Sequence, residues 1–167
     1  MSIVSKEDFI GEHYVPKACF KDFEYYIEKY EDKILCNLFG ANQYELFKAD
    51  LTVSAPIEPQ TEPYITVFNP FKIDKYNCLY ISEGIKQMCI QYIYFFIQRD
   101  WINQNTNAGM MRSVSDNSSN LGYKGYNLVE AYNHAIRNYN AIQWYLCDNE
   151  ELFTELNTQQ MGSISGI

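Results

Sequence analysis

The sequence is poor in positive charge. It carries 13 Lys and Arg residues against 21 Asp and Glu residues, a net charge of −8, and no stretch of it is basic. Proteins that bind DNA neutralise its phosphates with a basic patch, so the composition argues against direct nucleic-acid binding. An acidic surface would suit a passage along which DNA slides, because like charges repel.

Side chains with obvious chemistry are scarce as well. The chain has two histidines, His13 and His134, and it contains no HExxH, no GxSxG and no phosphate-binding glycine loop. Glu130 and His134 stand one helical turn apart, which is the spacing of a metal or general-base fragment but more often that of a solvated pair. We therefore predict no catalytic residue, no metal and no cofactor. An enzyme using Glu130, His134 and Asp100 is kept as a minor hypothesis.

Membrane and export signals are missing too. No apolar run reaches the ~18 residues that a membrane span needs, and the first residues, MSIVSKEDFIGEH, have neither a basic n-region nor an apolar h-region, so we expect no signal peptide. The five cysteines, at positions 19, 36, 78, 89 and 147, are odd in number and lack CxxC spacing. We expect them to be reduced and structural, in a protein that folds in a reducing cytoplasm.

What the sequence does have is apolar and aromatic residues, which make up 47% and 16% of its 167 residues. This length suits one domain, here residues 1–149, followed by a C-terminal tail at 150–167. The stretch from Ser82 to Trp101 is apolar on every side over most of its middle and is too long for a strand, so it predicts a buried central helix with Ser82 as its N-cap.

Three other segments have a helical apolar period. Residues 17–39 predict an amphipathic helix that Gly40 ends, residues 42–51 predict a shorter second helix, and a last helix should begin at Asn127, with Glu130 close to a capping box, and end near Asp148. The predicted fold class is mainly α: a small bundle of about four helices with a short β-hairpin or extended arm and a flexible C-terminal tail.

Two connecting segments are not helical in pattern. Residues 52–81 form a proline-rich arm in which Tyr64–Phe68 (YITVF) predicts a strand and 78–81 its partner. Residues 103–125 are rich in Asn, Ser and Gly and predict a long polar loop, a class of segment that tends to be functional or disordered.

Several stretches together resemble a known family. They are YYIEKYEDKILCNLFGANQYELFKADL at 25–51, SEGIKQMCIQYIYFFIQRDW at 82–101, NTNAGM at 105–110 and AYNHAIRNYNAIQWYL at 131–146. In pattern and order they are similar to the head-to-tail connector proteins of tailed phages of Bacteroidetes hosts, including crAss-like phages. The resemblance spans roughly residues 20–149 and rests on no catalytic motif.

The resemblance implies a structural virion protein. Copies of such an adaptor form a homo-oligomeric ring, of twelvefold symmetry in the family, below the portal protein. The ring extends the DNA channel and joins the capsid to the next ring protein of the tail or neck. DNA passes through without specific binding, no membrane is involved, and the ring is assembled in the host cytoplasm and resides in the virion neck.

Within this hypothesis we expect three contact elements. The arm should reach a neighbouring copy, the loop should face the channel or the next ring, and the tail should dock on the portal or a neighbour with Phe153 as its anchor. The residues assigned to them are Tyr64, Ile65, Val67, Phe68 and Phe71 in the arm, Met110, Met111 and Arg112 in the loop, and Leu152, Phe153 and Leu156 in the tail. The alternative is a small cytoplasmic helical binding or regulatory module that forms no ring.

Overall fold

The chain is mainly helical, as the sequence predicts. A computed structural model describes residues 2–15, 23–106, 109–112 and 121–156, with side chains described outside 101–112 and 121–127. Its elements are α1 (Phe23–Phe39), α2 (Ala41–Asp50), α3 (Tyr64–Phe68), β1 (Phe71–Lys75), β2 (Cys78–Ser82), α4 (Ile85–Ile102), β3 (Asn103–Thr106), β4 (Gly109–Arg112) and α5 (Leu121–Asp148).

Helix α4 lies at the centre of the packing. It contacts α5 along one side and α1 along another, and its side chains are buried in several directions, as an all-round apolar helix requires. Six residues of α4 have no exposed surface: Ile85, Met88, Cys89, Tyr92, Ile93 and Ile97.

Helices α1 and α2 form an angled pair around one glycine. Gly40 has a φ of 78°, a left-handed value that residues with a side chain rarely adopt. The turn brings the rings of Phe39 and Phe47 into a stack with centroids 5.0 Å apart. The predicted end of the first helix at Gly40 is confirmed.

The segment 2–15 lies on the bundle through a buried carboxylate. Glu31 of α1 is 3% exposed. It accepts hydrogen bonds from the backbone N–H groups of Ile3 and Val4, both at 3.0 Å, and from the Ser2 hydroxyl at 2.6 Å. Burial raises the pKa of the Glu31 carboxyl, while these hydrogen bonds oppose the shift.

The predicted strand at Tyr64–Phe68 is wrong, because this segment is the short helix α3. Tyr64, Val67 and Phe68 stand at i, i+3 and i+4 and are all buried. Burial of this helical face outweighs the β-propensity of YITVF, which reflects packing context more than backbone preference.

The hairpin exists, but it pairs different residues. β1 and β2 are antiparallel, with Phe71 opposite Ser82 and Lys75 opposite Cys78. Tyr76 and Asn77 form the two-residue turn with φ values of 54° and 60°, which is the pattern of a type I′ hairpin. The partner of 78–81 is therefore 71–75.

Two predicted helix starts are also wrong. Ser82 ends β2, and α4 begins at Ile85 after Gly84. Helix α5 begins at Leu121, six residues before Asn127, so Asn127 is not its N-cap. Extending a helix costs less than nucleating one, which lets α5 run back through a glycine-containing stretch. The predicted loop at 103–125 therefore holds the β3–β4 hairpin and the first turn of α5.

Candidate interaction surface

The hairpin β1–β2 is held against α5 by its inner face. The Phe71 ring lies 5.2 Å from the Tyr145 ring, and the Tyr80 ring lies 4.6 Å from the Trp144 ring, centroid to centroid. The Lys75 ammonium forms an ion pair with the Asp148 carboxylate at 2.5 Å. Rings and ion pair together fix which side of the hairpin faces the bundle.

The other side of this hairpin is exposed and partly apolar. Leu79 and Ile81 are 57% and 60% exposed, and they stand opposite Asp74 and Lys72 in the register. Tyr76 at the tip is 81% exposed although its backbone adopts a left-handed conformation, which costs a residue with a side chain roughly 1–3 kcal/mol. We call Tyr76, Leu79 and Ile81 the hairpin surface.

Most arm residues predicted to meet a neighbour lie inside the chain. Tyr64, Val67 and Phe68 are 8%, 0% and 9% exposed, and Ile65 and Phe71 are half-buried. Their packing is explained by the core of this chain, since α3 covers part of α4. The hairpin surface was not predicted, although the alternation of residues 78–82 after the Tyr76–Asn77 turn is a signal that could have found it.

The three predicted loop residues stand on β4. In the register of the second hairpin, Met110 is opposite Asn105, Met111 opposite Gln104 and Arg112 opposite Asn103. Their side chains and residues 113–120 lie outside the described part of the chain, so their role as contacts stays a prediction.

The tail residues divide into one exposed and two buried side chains. Leu152 is 49% exposed, whereas Phe153 and Leu156 are 2% and 9% exposed against the chain's own helices. The Phe153 ring lies 5.9 Å from the Tyr64 ring, and the Glu155 N–H donates to Gln43 Oε1 at 2.9 Å. The predicted anchor thus docks within the chain here, and residues 157–167 lie outside the described part.

A polar network of two buried amides and an exposed glutamate joins the start of α4 to α5. Asn138, which is 3% exposed, accepts from the Glu83 N–H at 2.9 Å and donates to Gln91 Oε1 at 2.9 Å and to Glu83 Oε2 at 3.2 Å. Gln91 Nε2 donates to the same Glu83 oxygen at 2.6 Å. Satisfied networks of this kind fix the relative position of two helices, so we assign this one a structural role.

A second polar cluster lies near the end of α4. The Tyr30 hydroxyl donates to Asp100 Oδ2 at 2.7 Å, and the Arg99 guanidinium bonds Asp100 Oδ1 at 2.8 Å and lies 4.8 Å above the Phe96 ring. Burial, followed in size by the hydrogen bond to Asp100, raises the pKa of Tyr30 to about 12. The helix end is therefore tied to α1.

The residues of the enzyme hypothesis form an exposed pair and an acid with other partners. Glu130 and His134 are 52% and 45% exposed at the side chain, with Glu130 Oε1 and His134 Nε2 4.0 Å apart, while Asp100 is bonded to Tyr30 and Arg99. Among the described residues, no group of three or more His, Cys, Asp or Glu side chains is placed to hold a metal ion. The free cysteines of this part are Cys36, Cys78, Cys89 and Cys147.

A shallow cleft of about 420 Å³ separates the segment 2–15 from the start of α4. Its walls mix apolar side chains such as Ile10 and Ile90 with charged ones such as Glu7 and Lys86. The Lys86 ammonium lies 2.9 Å from Asp8 Oδ1 across it, and burial lowers the pKa of the neighbouring His13. The charges on the cleft wall are at least partly paired within the chain, so the cleft does not define a ligand class.

Comparisons with known proteins found no match to a family model, to a curated protein or to a solved structure. Across the described residues, every helix is too short or too polar to cross a membrane.

Proposed function

We propose that this protein is a structural head-to-tail connector of a tailed phage. In this role, copies form a ring below the portal protein, extend its DNA channel and contact the next ring of the neck. The proposal starts from the resemblance of residues 20–149 to such connectors, and a small, mainly helical domain is the fold that this resemblance implies.

The observation that carries the proposal furthest is the hairpin surface. Two neighbouring aliphatic side chains and a tip tyrosine are exposed on a hairpin that ion pairing and ring contacts fix to the bundle. Aromatic residues with a polar tip are enriched in protein interfaces. Among the residues that the structure describes, the outer edges of both strands also have no ladder partner, and such edges favour pairing with another chain. We assign this surface to the contact between copies.

The charge balance supports the same role. With a net charge of −8, a ring of many copies would repel the DNA backbone from its inner wall at distances within a Debye length of ~10 Å. DNA would then pass without being held. Portal and neck partners would contact the protein elsewhere on its surface.

The test is native mass spectrometry of the full chain, first alone and then mixed with the portal protein of the same phage. A ring-sized oligomer, or a stoichiometric complex that forms when portal is present, is the expected result. A chain that stays monomeric and ignores portal would sink the proposal and leave the binding-module alternative. Cross-linking before analysis guards against loss of weak rings during transfer to the gas phase.

A further inference from the structure

A buried glutamine on α2 binds the backbone of the segment that follows α5. The Gln43 side chain is 1% exposed. Its Nε2 donates to the Tyr64 hydroxyl at 2.6 Å, and its Oε1 accepts the Glu155 N–H at 2.9 Å. Both ends of one amide are thus used, one to position the glutamine and the other to bind a peptide N–H. A contact to a backbone N–H holds a segment without depending on its side chain.

Two side chains of the same segment supply the apolar part. Phe153 is 2% exposed and lies against the Tyr64 ring, which also contacts the rings of Phe39 and Phe47 at 6.3 and 5.5 Å. Leu156 is 9% exposed. The pattern is Phe-x-x-Leu with a backbone hydrogen bond between its two anchors. We call the surface formed by Gln43 of α2 and Tyr64 of α3 the tail groove.

The link between α5 and this segment is short and exposed, and it forms a single 3₁₀ turn at Glu150–Leu152 that must open before the link can extend. Residues 149–152 join Asp148 to Phe153, and within them Glu150, Glu151 and Leu152 are exposed. Five extended peptide steps span about 17 Å. The segment can therefore leave its own groove and reach one on an adjacent copy that lies within that distance, with α5 unchanged.

We propose that the tail groove is a peptide-binding site for the Phe153–Leu156 segment, and that it accepts this segment from a second copy as well as from its own chain. Exchange keeps the same hydrogen bond and ring contacts, so it requires no new interface. When each copy inserts its segment into the next, the contact is heterologous, and such contacts generate rings if the rotation closes. The exchange between copies rests on the proposed connector function, while the groove itself does not.

The first experiment measures binding between separate molecules. A fluorescein-labelled peptide of residues 149–158, NEELFTELNT, is titrated by fluorescence anisotropy into the full chain carrying F153A and L156A. We expect saturable binding that is at least tenfold tighter than to the wild-type chain, whose own segment competes. The peptide with alanine in place of Phe153 should bind the double variant at least tenfold more weakly. The peptide with L152A, a change at an exposed position of the same segment, should bind as tightly as the wild-type peptide.

Absence of peptide binding to the folded double variant would overturn the proposal. If circular dichroism shows that this variant does not fold, the same titration is read on the wild-type chain. There the proposal requires a weak saturable signal that the alanine peptide does not give, and a flat or identical response for both peptides rejects it.

The second experiment separates this inference from the connector function. The F153A/L156A chain has a groove but no insert, and a Q43L chain has an insert but a weakened groove. Both variants keep the hairpin surface, so the two mixed at equal concentration should form a one-to-one heterodimer in native mass spectrometry that exceeds any homodimer of either variant. If the wild-type chain forms rings but the two variants do not form this heterodimer, the segment docks only in its own chain. A heterodimer without wild-type rings would uphold the groove and reject the connector.

Discussion

At Gly84 a single added carbon would collide with the backbone of a neighbouring helix. Its φ is 87°, and a Cβ built there would lie 2.2 Å from the Phe68 carbonyl oxygen. Both the left-handed backbone and the clash oppose any side chain. Because the obstacle is backbone, α3 and the start of α4 would have to move apart.

We therefore expect G84A to lower the free energy of unfolding by about 3 kcal/mol or more. The matched control is G11A, where φ is 61° but nothing lies within 4 Å of the added carbon, so only the backbone cost of about 1 kcal/mol remains. Urea denaturation of both variants measures the two free energies of unfolding. Equal losses in the two variants would show that the close approach of Gly84 to Phe68 is not rigid.

Asp8 gives the fold a defined dependence on pH. Partial burial acts to raise its pKa, but the Lys86 ammonium at 2.9 Å and hydrogen bonds from Ser5 outweigh this and lower the pKa below 3.8. A carboxyl whose pKa is lower when folded stabilises the fold above its unfolded pKa, and that contribution is lost as the pH falls through the folded value.

We expect D8N to cost about 0.5–1 kcal/mol at pH 7, since the pair is partly exposed to solvent. The difference from the wild-type chain should shrink as the pH is lowered from 5 to 3. Chemical denaturation across that range measures it, with E7Q, a change at the exposed neighbouring acid, as the control. A difference that grew in acid would contradict the assignment.

At the scale of elements, the sequence predicted helices where one apolar face repeats every three or four residues. That signal placed the end of α1 and both ends of α2 and α4 within a few residues, whereas the predicted start of the first helix at residue 17 lies outside the described part of the chain. It misplaced the elements for which tertiary contacts outweigh local preference: α3, whose β-branched sequence is helical because one face is buried, and the N-terminal end of α5. The β1 strand was missed because its alternation is weak in a proline-rich context.

The candidate site was harder to predict than the fold. An apolar cluster near a chain end has the same sequence pattern whether it docks on its own chain or on another, so Phe153 was expected to face outward. The partner of that segment, Gln43, lies 112 positions away from Glu155, and no local pattern connects them. Conversely, residues 78–81 were predicted only as the strand partner of Tyr64–Phe68, and Leu79 and Ile81 were not among the residues assigned to a contact.

The contact between α4 and α5 depends on Asn138. Replacing it with alanine leaves the part-buried Glu83 N–H and the buried Gln91 amide without these partners, which should cost about 2–3 kcal/mol. N138D should cost more at pH 7, because it sets a second carboxylate beside Glu83 and removes the donor. Thermal unfolding at pH 7 and pH 5 tests this order, and equal losses for both variants would mean that Glu83 is not a fixed member of the network.

For the whole molecule, the decisive feature is that folding leaves the hairpin surface outside. Leu79 and Ile81 face away from α5, so L79E/I81E should change the free energy of unfolding by no more than about 0.5 kcal/mol, as is usual for exposed positions. If these two side chains form the core of an interface, L79E/I81E should weaken association strongly. Buried apolar anchors contribute most of the binding energy, and a buried unpaired charge opposes binding.

We accordingly expect L79E/I81E to reduce ring formation at least tenfold while the monomer stays folded. The control is V53E at a position 94% exposed, which introduces the same charge outside the hairpin surface. Analytical ultracentrifugation over a concentration series, alone and with portal protein, measures the association. Rings that form equally well with L79E/I81E would move the contact between copies away from this hairpin. The tail groove would then be the remaining described candidate for that contact.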